Sequence, residues 1–402
     1  MTYNSLPELP VVERLEWVTD VQVALDGTEQ RTSLRRTPKL NLELNYQLVR
    51  QAEVDAYLSQ LIFDSSGEVI LPLYQYATSL HYAALPNDTT IYFNAARTDV
   101  RAGEYLYICN PSSGTNEVHQ VNSIFPGLTS VEIDEGLLYD YPAGSVVCPA
   151  LPFWLEDRNK LNRHRLNSQA KLSISASSVA ARGLKSWSIG SEEWPTLNGF
   201  NILWRQPSAE RNFDLDIDHI YHRLDFGIGT VQQFSYLDMA RTATRSTWTI
   251  QRVLEPQQMV WWQDFLDQTC GRQKAFLAPT WRGDFRLLYP LGPGYIMDGD
   301  SLPSLVLAGS DYRTKWWPED TYRRLAIRTA GGVVYVKVDS VEDYLGNTKC
   351  WLEVPRSYPE DTARRTVTSI DLLPKVRLDS DIVTLSHGAT ETSVDLTLRT
   401  VP

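Results

Sequence analysis

The sequence predicts a mainly β protein in which one β-domain occurs twice in tandem. Each copy is expected to carry a flanking short α-helix and an inserted small β-barrel or sandwich module. One observation is a repeat, because Gly27, Thr28 and Gln30 match Gly229, Thr230 and Gln232 about 200 residues later. The other is that several segments between turn residues alternate apolar and polar residues, as half-buried strands do. A repeat of this length exceeds the roughly 20–50 residues of a solenoid unit, so it indicates domain duplication.

Length and composition restrict the function classes. The 402 residues suffice for two or three domains, and 43% hydrophobic residues provide a core without help from a metal. The net charge of −11 argues against a clamp on nucleic acid but is compatible with DNA passing through a channel, and simple solubility explains it equally well. No segment approaches ~18 consecutive apolar residues, and residues 1–10 lack the features of a secretory signal.

The cysteines predict free thiols in a reducing compartment. They lie far apart in the sequence and form no C-x-x-C pair. They are Cys109, Cys148, Cys270 and Cys350. Four cysteines could ligate an iron–sulfur cluster, but their spacing gives no support for one.

The elements of the first copy follow from turn residues and periodicity. A strand is expected over Glu16–Val23, followed by a hairpin turn at Asp26-Gly27. Residues Lys39–Val49 alternate at period two, which predicts a half-buried strand. In Gln51–Phe63, apolar residues recur three and four apart, which predicts an amphipathic helix, and Val69–Tyr74 is expected to leave that helix as a strand.

The second copy repeats this order. A helix is expected to open at Glu255-Pro256, since proline fits the first helical turn, and to end at Gly271 as a C-terminal cap. Its apolar face comprises Met259, Trp262, Phe265 and Leu266. A strand is expected over Lys274–Trp281. Before the helix, Leu42–Tyr46 corresponds to Thr247–Ile250 in a register that the sequence leaves open.

Short strands between turn residues predict the inserted modules, and an alternating strand closes each copy. The closing strands are Ala170–Ala176 and Glu391–Leu398. The predicted boundaries are 1–77 plus 151–180 for the first β-domain, 78–150 for its inserted module, 181–199 for a linker, 200–282 plus 376–402 for the second β-domain, and 283–375 for its inserted module.

Aromatic residues are unusually frequent, with 12 Trp and 20 Tyr. Both types are enriched at protein interfaces because they bury a large area at little entropic cost. For the adjacent pairs Trp261-Trp262 and Trp316-Trp317 we expect one ring in the core and one facing a partner. Burial of all these rings in the core is the alternative.

Motifs for catalysis and ligand binding are absent from the sequence. It contains no G-x-S-x-G elbow, P-loop or dinucleotide fingerprint, and Gly227–Gly229 is interpreted as a turn because no helix starts there. Glu192-Glu193 is followed by Trp194, as in some glycosidases, but nothing in the sequence places two carboxylates across a cleft.

Two groups of polar residues have some of the ligands of a metal site. Asp214, Asp216 and Asp218 alternate along one strand, which favours a charged strand edge over a calcium site. His219 and His222 lack the other ligands of a zinc site. We therefore predict no catalytic, cofactor-binding or metal-binding residue and no enzymatic activity.

Two stretches of the sequence carry a distinctive order of motifs. The first half contains Trp17-x-Thr19-Asp20-Val21, Asp26–Arg31 and Leu34-Arg35-x-x-Pro38, and the second contains Arg252–Leu266, Gly271–Phe276 and Pro279-Thr280-Trp281. A short helix followed by Gly-Arg-x-x-x-Phe and Pro-x-Trp resembles the distal-tail and tail-tip proteins of long-tailed bacteriophages. The resemblance covers most of the chain through its two copies and brings no catalytic residue.

The resemblance implies a β-sandwich with a flanking helix, related to the tube-forming fold of tail proteins. Such tube-like domains form closed rings that join the tail tube to the hub and fibres and surround the DNA channel. It implies a virion tail protein, assembled in the host bacterial cytoplasm, whose partners are copies of itself, the tube, hub and fibre proteins, and DNA only as cargo. Some tail-tip proteins hold an iron–sulfur cluster, but the cysteines here are too scattered for that property to be transferred to this chain, so no cofactor is expected. The lack of a long apolar run means that no membrane insertion is expected either.

The sequence leaves open both the number of chains in the ring and the function of the protein. Six tube-like domains complete such a ring, so two copies per chain allow three chains in one ring or six chains in two stacked rings. The alternative function is a carbohydrate-binding tail or surface protein that engages host glycans through exposed Trp and Tyr, and a weaker one is a glycan hydrolase.

Overall fold

The protein is mainly β and is built from antiparallel sheets, as the sequence predicts. The computed structural model describes residues 6–24, 28–48, 54–55, 59, 68–94, 98–125, 129–156, 159–163, 170–182, 194–208, 214–219, 222–225, 231–234, 241–251, 256–289, 303–329, 332–353 and 367–401. The turns predicted at Asp26-Gly27 and Gly227–Gly229 lie outside these residues.

The strands of the first half are β1 Glu8–Val23, β2 Glu29–Leu48, β3 Glu68–Pro72, β4 Thr78–Ser79, β5 Thr90–Tyr92, β6 Tyr105–Asn110, β7 Thr115–Ile124, β8 Ser130–Ile133, β9 Val146–Leu155, β10 Lys160–Arg163 and β11 Ala170–Ser178. Those of the second half are β12 Thr196–Leu197, β13 Phe200–Asn201, β14 Asp214–Asp218, β15 His222–Asp225, β16 Val231–Phe234, β17 Arg241–Ile250, β18 Phe276–Leu277, β19 Ser304–Leu307, β20 Arg324–Thr329, β21 Gly332–Tyr344, β22 Asn347–Glu353, β23 Val367–Leu372, β24 Lys375–Leu378, β25 Ile382–His387 and β26 Thr392–Thr400. The α-helix α1 spans Pro256–Thr269, with shorter helical turns at Tyr74–Tyr76, Tyr312–Trp316 and Asp320–Tyr322.

The first hairpin follows the predicted alternation. Leu40, Leu42, Leu44, Tyr46 and Leu48 are buried along β2, and the residues between them are not. Strand β1 starts well before the predicted Glu16, because its first half pairs both with β2 and with β25. Of the helix predicted over Gln51–Phe63, the described residues 54, 55 and 59 are helical and the others lie outside the described part.

The order of strand pairing is the same in the two copies. It runs β1–β2–β11–β9–β3 in the first copy and β14–β17–β26–β24–β18 in the second. One further strand pairs with the third member of each series, β10 with β11 and β25 with β26. Both predicted closing strands, β11 and β26, therefore return to the first sheet of their copy.

The registers agree as well as the order. Asp225 pairs with Val231 in β15–β16 as Val23 pairs with Glu29 in β1–β2. The two pairs are related by a constant offset in residue number. This shift is the same one that aligns Gly27 with Gly229. It also aligns β14 with the part of β1 that starts at Val12.

The same shift defines the register that the sequence left open. It aligns Tyr46 of β2 with Trp248 of β17, and both side chains are buried. Tyr46 lies opposite Leu172 of β11, and Trp248 lies opposite Val394 of β26. The large aromatic therefore occupies the same place in the two copies, packed from the second strand into the core.

The two copies are joined edge to edge. Strand β1 of the first pairs with β25 of the second, from Val11 opposite His387 to Glu16 opposite Ile382. One hydrophobic cluster contains side chains from both copies, including Leu44 and Ile174 of the first and Trp262 of the second. A continuous sheet and a common core therefore hold the copies side by side.

Helix α1 lies in this common core. Its predicted apolar residues are all buried, and so is Trp261 on another side of the helix. The expectation that one ring of Trp261-Trp262 faces a partner is therefore wrong. The ring of Trp194 stacks on Trp261 with centroids 5.0 Å apart, so the segment around Trp194 covers this side of the helix. Trp316 and Trp317 also pack, half-buried, against the core of the second inserted module.

The two ranges that the sequence predicts to be inserted modules each contain a hydrophobic cluster of their own. In the first, residues between Leu80 and Val147 form one cluster. In the second, the sheet β19–β22–β21–β20–β23 covers another. Residues 194–199 of the predicted linker are folded, since Thr196–Leu197 pairs with Phe200–Asn201. The domain boundaries themselves stay a prediction.

The turn that ends α1 contains Gly271 as the sequence predicts, but Cys270 is the first residue of positive φ in it. Gly271 also permits contact between the copies. Its φ is +64°, and a Cβ there would collide with the Asp381 carboxylate and lie 3.0 Å from Trp17 Cβ. We expect Gly271→Ala to lower the free energy of unfolding by about 2 kcal/mol, measured by chemical denaturation. Gly144→Ala is the matched control, because Gly144 also has positive φ but has nothing within 4 Å of its Cβ position. A loss at Gly271 no larger than at Gly144 would contradict the packing role.

Candidate assembly interface

The candidate site residues whose side chains the structure describes do not come together in one site. Asp214, Asp216 and Asp218 lie along β14, where Asp218 forms an ion pair with Arg399 at 2.5 Å. Glu192-Glu193 and the side chain of His222 lie outside the described part. Within the described residues, no group of three or more His, Cys, Asp or Glu side chains is placed to hold a metal ion.

Two surface cavities in the described part of the chain are smaller than most small-molecule sites. One of about 250 Å³ lies between β24, β25 and β26, and one of about 160 Å³ lies beside Trp194 and Phe200. Both are below the roughly 300–1,000 Å³ of most small-molecule sites. Three clusters of hydrogen-bonded polar side chains lie where the two copies meet, a region that we call the junction (β1 and the start of β2 against α1, β24 and β25).

The first cluster of the junction centres on Glu13 of β1. Its Oε2 lies 2.7 Å from His387 Nε2 and accepts a hydrogen bond from Gln75 Nε2 at 3.3 Å. The Tyr76 hydroxyl donates to Glu13 Oε1 at 3.4 Å and accepts from Gln263 Nε2 of α1 at 2.8 Å. Burial, with the nearby charge of Glu13, raises the pKa of Tyr76 well above its ordinary value. The hydroxyl therefore stays protonated and can link β1 to the helix.

The second cluster is formed by Asp381, which precedes β25. Its carboxylate accepts hydrogen bonds from Thr19 N at 2.8 Å, from Thr19 Oγ1 at 2.9 Å and from Arg272 N at 2.9 Å. Arg272 Nη2 donates in turn to the carbonyl oxygen of Thr19 at 3.1 Å. A carboxylate with several donors of this kind fixes the positions of both backbones.

The third cluster is a buried carboxylate between two arginines. Glu29, at the start of β2, has a side chain only 2% exposed. It accepts hydrogen bonds from Arg377 Nε at 2.8 Å, from Arg377 Nη2 at 3.1 Å and from Arg241 Nη1 at 2.7 Å. Burial raises the pKa of Glu29, but the hydrogen bond with Arg377 and the charges of Arg377, Arg241 and Arg31 lower it by more. Its net pKa lies below the ordinary value, so the carboxylate stays ionised.

These clusters link the two copies through side chains that are distant in the sequence. Sequence reasoning missed them because the partners are far apart in the chain, 374 residues for Glu13 and His387. One signal was present. Glu13 occupies a position on the apolar face of β1, in phase with the buried Val11, Leu15 and Trp17. An acid in such a position needs a buried partner, which here comes from the other copy.

Strands β14 and β10, one in each copy, have a single neighbouring strand each in the part of the chain that the structure describes. Among the described residues, β14 pairs only with β17, and β10 pairs only with β11. Leu215 and Ile217 on β14 are 41% and 56% exposed. A strand edge with exposed apolar side chains is a template for pairing with another chain.

No protein-family model matches the sequence, and no curated protein matches it. Within the described residues, no helix is both long and apolar enough to span a membrane.

Proposed function

We propose that this protein is a structural component of a bacteriophage tail tip or baseplate, of the distal-tail type. It forms a ring that joins the tail tube to the hub and fibres and surrounds the DNA channel. The observation that carries the proposal is the side-by-side joining of two copies with one strand order, through β1 and β25.

The joint between the copies is heterologous, because it uses β1 on one side and β25 on the other. Heterologous contacts repeated with a constant rotation produce a ring when the rotation closes. The chain thus contains one step of such an assembly, fixed by the three clusters of the junction. Two tandem tube-like β-sandwich domains, each with an inserted module, account for the repeated strand order.

The remaining features agree with a structural role. A net charge of −11 suits a channel wall that DNA passes without being held. The inserted modules, with their separate cores, are the parts that we assign to contacts with hub and fibre proteins. No catalytic role is proposed, and the protein is placed in the virion tail after assembly in the host cytoplasm.

A carbohydrate-binding function is the second candidate. In the first inserted module, Tyr82 and Tyr92 are 67% and 46% exposed and lie edge to face, 5.8 Å apart. Exposed aromatic rings of this kind are platforms for sugar rings. If the module binds host glycans, Tyr82→Ala will abolish glycan-dependent quenching of the protein's fluorescence and leave assembly unchanged.

Light scattering of the purified chain over a concentration series tests the main proposal. We expect a discrete species with three or six times the mass of one chain. Purified tail tube protein, which would bind one face of the ring, is expected to shift the equilibrium between monomer and ring toward the ring. A chain that stays monomeric at high concentration and with the tube protein present would contradict the ring.

A further inference from the structure

The joint between the copies is also a template for the contact between chains. Resting on the proposed ring, we propose that β14 of one chain pairs antiparallel with β10 of a second copy of this chain. Inside the chain, β1 pairs with β25. Strand β14 corresponds to part of β1, and β10 corresponds to part of β25, so one repeat of the same contact joins β14 to β10.

The correspondence follows from the pairing registers. Asp214 lies opposite Arg245 of β17, as Val12 lies opposite Glu43 of β2. The shift that aligns Glu43 with Arg245 therefore aligns Val12 with Asp214. By the same shift, Arg14 of β1 is aligned with Asp216 of β14.

The other side of the contact is aligned through β11 and β26. Lys160 of β10 lies opposite Ser173 of β11, and Thr384 of β25 lies opposite Asp395 of β26. Ser173 and Asp395 correspond, since they face Asn45 and Thr247, which are related by the shift found above. Lys160 of β10 is therefore the residue that corresponds to Thr384 of β25.

These two alignments define a register between chains. Within the chain, Arg14 lies opposite Thr384. Asp216 of one chain is therefore opposite Lys160 of the next, and Leu215 is opposite Leu161 on the other face of the sheet. Directly opposite residues share a face and interact, so this register places an acid against a base and an apolar residue against another.

Exposure and charge agree with the derived register. Lys160 and Asp216 are both exposed in the single chain, and Leu161 packs at the border of the common core. Leu215 is 41% exposed and would be covered by the neighbouring chain. The exposed apolar residues Leu215 and Ile217 are unfavourable at a permanent solvent edge, and the charge of Asp216 matches a partner strand that carries a lysine.

The contact also selects one stoichiometry. Because the two copies of one chain already lie side by side in one sheet, both belong to the same ring. A chain then spans two positions, and three chains supply the six domains of the proposed ring. Six chains in two stacked rings would need the two copies of a chain in different rings.

A charge-exchange experiment tests the register in the full chain, by light scattering over a concentration series. Asp216→Lys places two lysines opposite each other and is expected to raise the concentration for half-assembly about tenfold or more. Lys160→Asp is expected to do the same, and the double variant to restore assembly. Asp339→Lys, an equally exposed change on β21, is the matched control and should leave assembly unchanged.

Cysteine pairing provides an independent readout. The four native cysteines are buried, so oxidation will report introduced thiols. With Asp216→Cys and Lys160→Cys together, we expect disulfide-linked species up to three chains. With Asp216→Cys and Leu161→Cys we expect none, because those side chains lie on opposite faces.

The outcomes separate the register from the proposed function. Assembly into a ring with no effect of charge exchange and no disulfide at Asp216 and Lys160 would overturn the register and leave the ring intact. A chain that is monomeric in every condition would overturn both. Restored assembly in the double variant supports both the register and the proposed ring.

Discussion

Glu29→Gln is expected to lower the free energy of unfolding by roughly 3 kcal/mol, because it removes the buried carboxylate that bridges Arg377 and Arg241. The arginine side chains are 5% and 8% exposed, so water cannot replace the lost carboxylate. Chemical denaturation followed by circular dichroism measures the change. Glu43→Gln is the matched control on the same strand, since its 2.7 Å ion pair with Arg14 is solvent-exposed and is expected to contribute less than about 1 kcal/mol.

The same carboxylate makes a prediction about pH. The pKa of Glu29 is lowered in the folded protein, so its contribution to stability is present above the ordinary value of 4.5 and is lost as pH falls through the folded-state pKa. We expect the stability of the unmodified protein to fall more steeply from neutral to acid pH than that of Glu29→Gln. Parallel pH profiles for the two proteins would contradict this assignment.

Trp262→Ala is the second large effect. The Trp262 ring is 1% exposed and lies 5.2–5.6 Å from the rings of Trp248, Trp261 and Phe265. Removing it leaves a cavity in the core that both copies share, at an expected cost of about 3–5 kcal/mol. Trp154→Ala is the matched control, because that ring is 44% exposed.

The shared core also predicts how the variant unfolds. In the Trp262→Ala variant, the two domain copies should unfold together. Their common unfolding midpoint should lie at a lower denaturant concentration than that of the unmodified chain. Hydrogen exchange can follow β2 of the first copy and β17 of the second separately. If β17 lost protection while β2 kept it, the copies would be independent domains and the common core would be wrong.

The sequence predicted the elements whose cause is local. The alternation in Lys39–Val49 predicts the buried face of β2, and the spacing in Pro256–Thr269, with Gly271 after it, predicts α1 and its end. These patterns depend on residues within one or two turns or strands of each other. The repeated motifs also predicted a common order of elements, and the described strands pair in the same order in both halves.

The junction could not be predicted because its causes are distant. The pairing of β1 with β25, and the bonds of Asp381 to Thr19, join residues more than 360 positions apart. The burial of Trp261 was missed for a related reason. The segment around Trp194, which the sequence predicts to be a linker, packs on the helix and removes the exposed face that the prediction needed.

An image of the assembled particle by electron cryo-microscopy, combined with its mass, tests the central claim most directly. We predict a closed ring of six similar lobes around an open channel, made of three chains, with threefold symmetry because the two copies differ. A six-lobed ring that contains six chains, with one copy of each chain in a second ring, would contradict the side-by-side arrangement. A particle without a closed ring would contradict the proposed function itself.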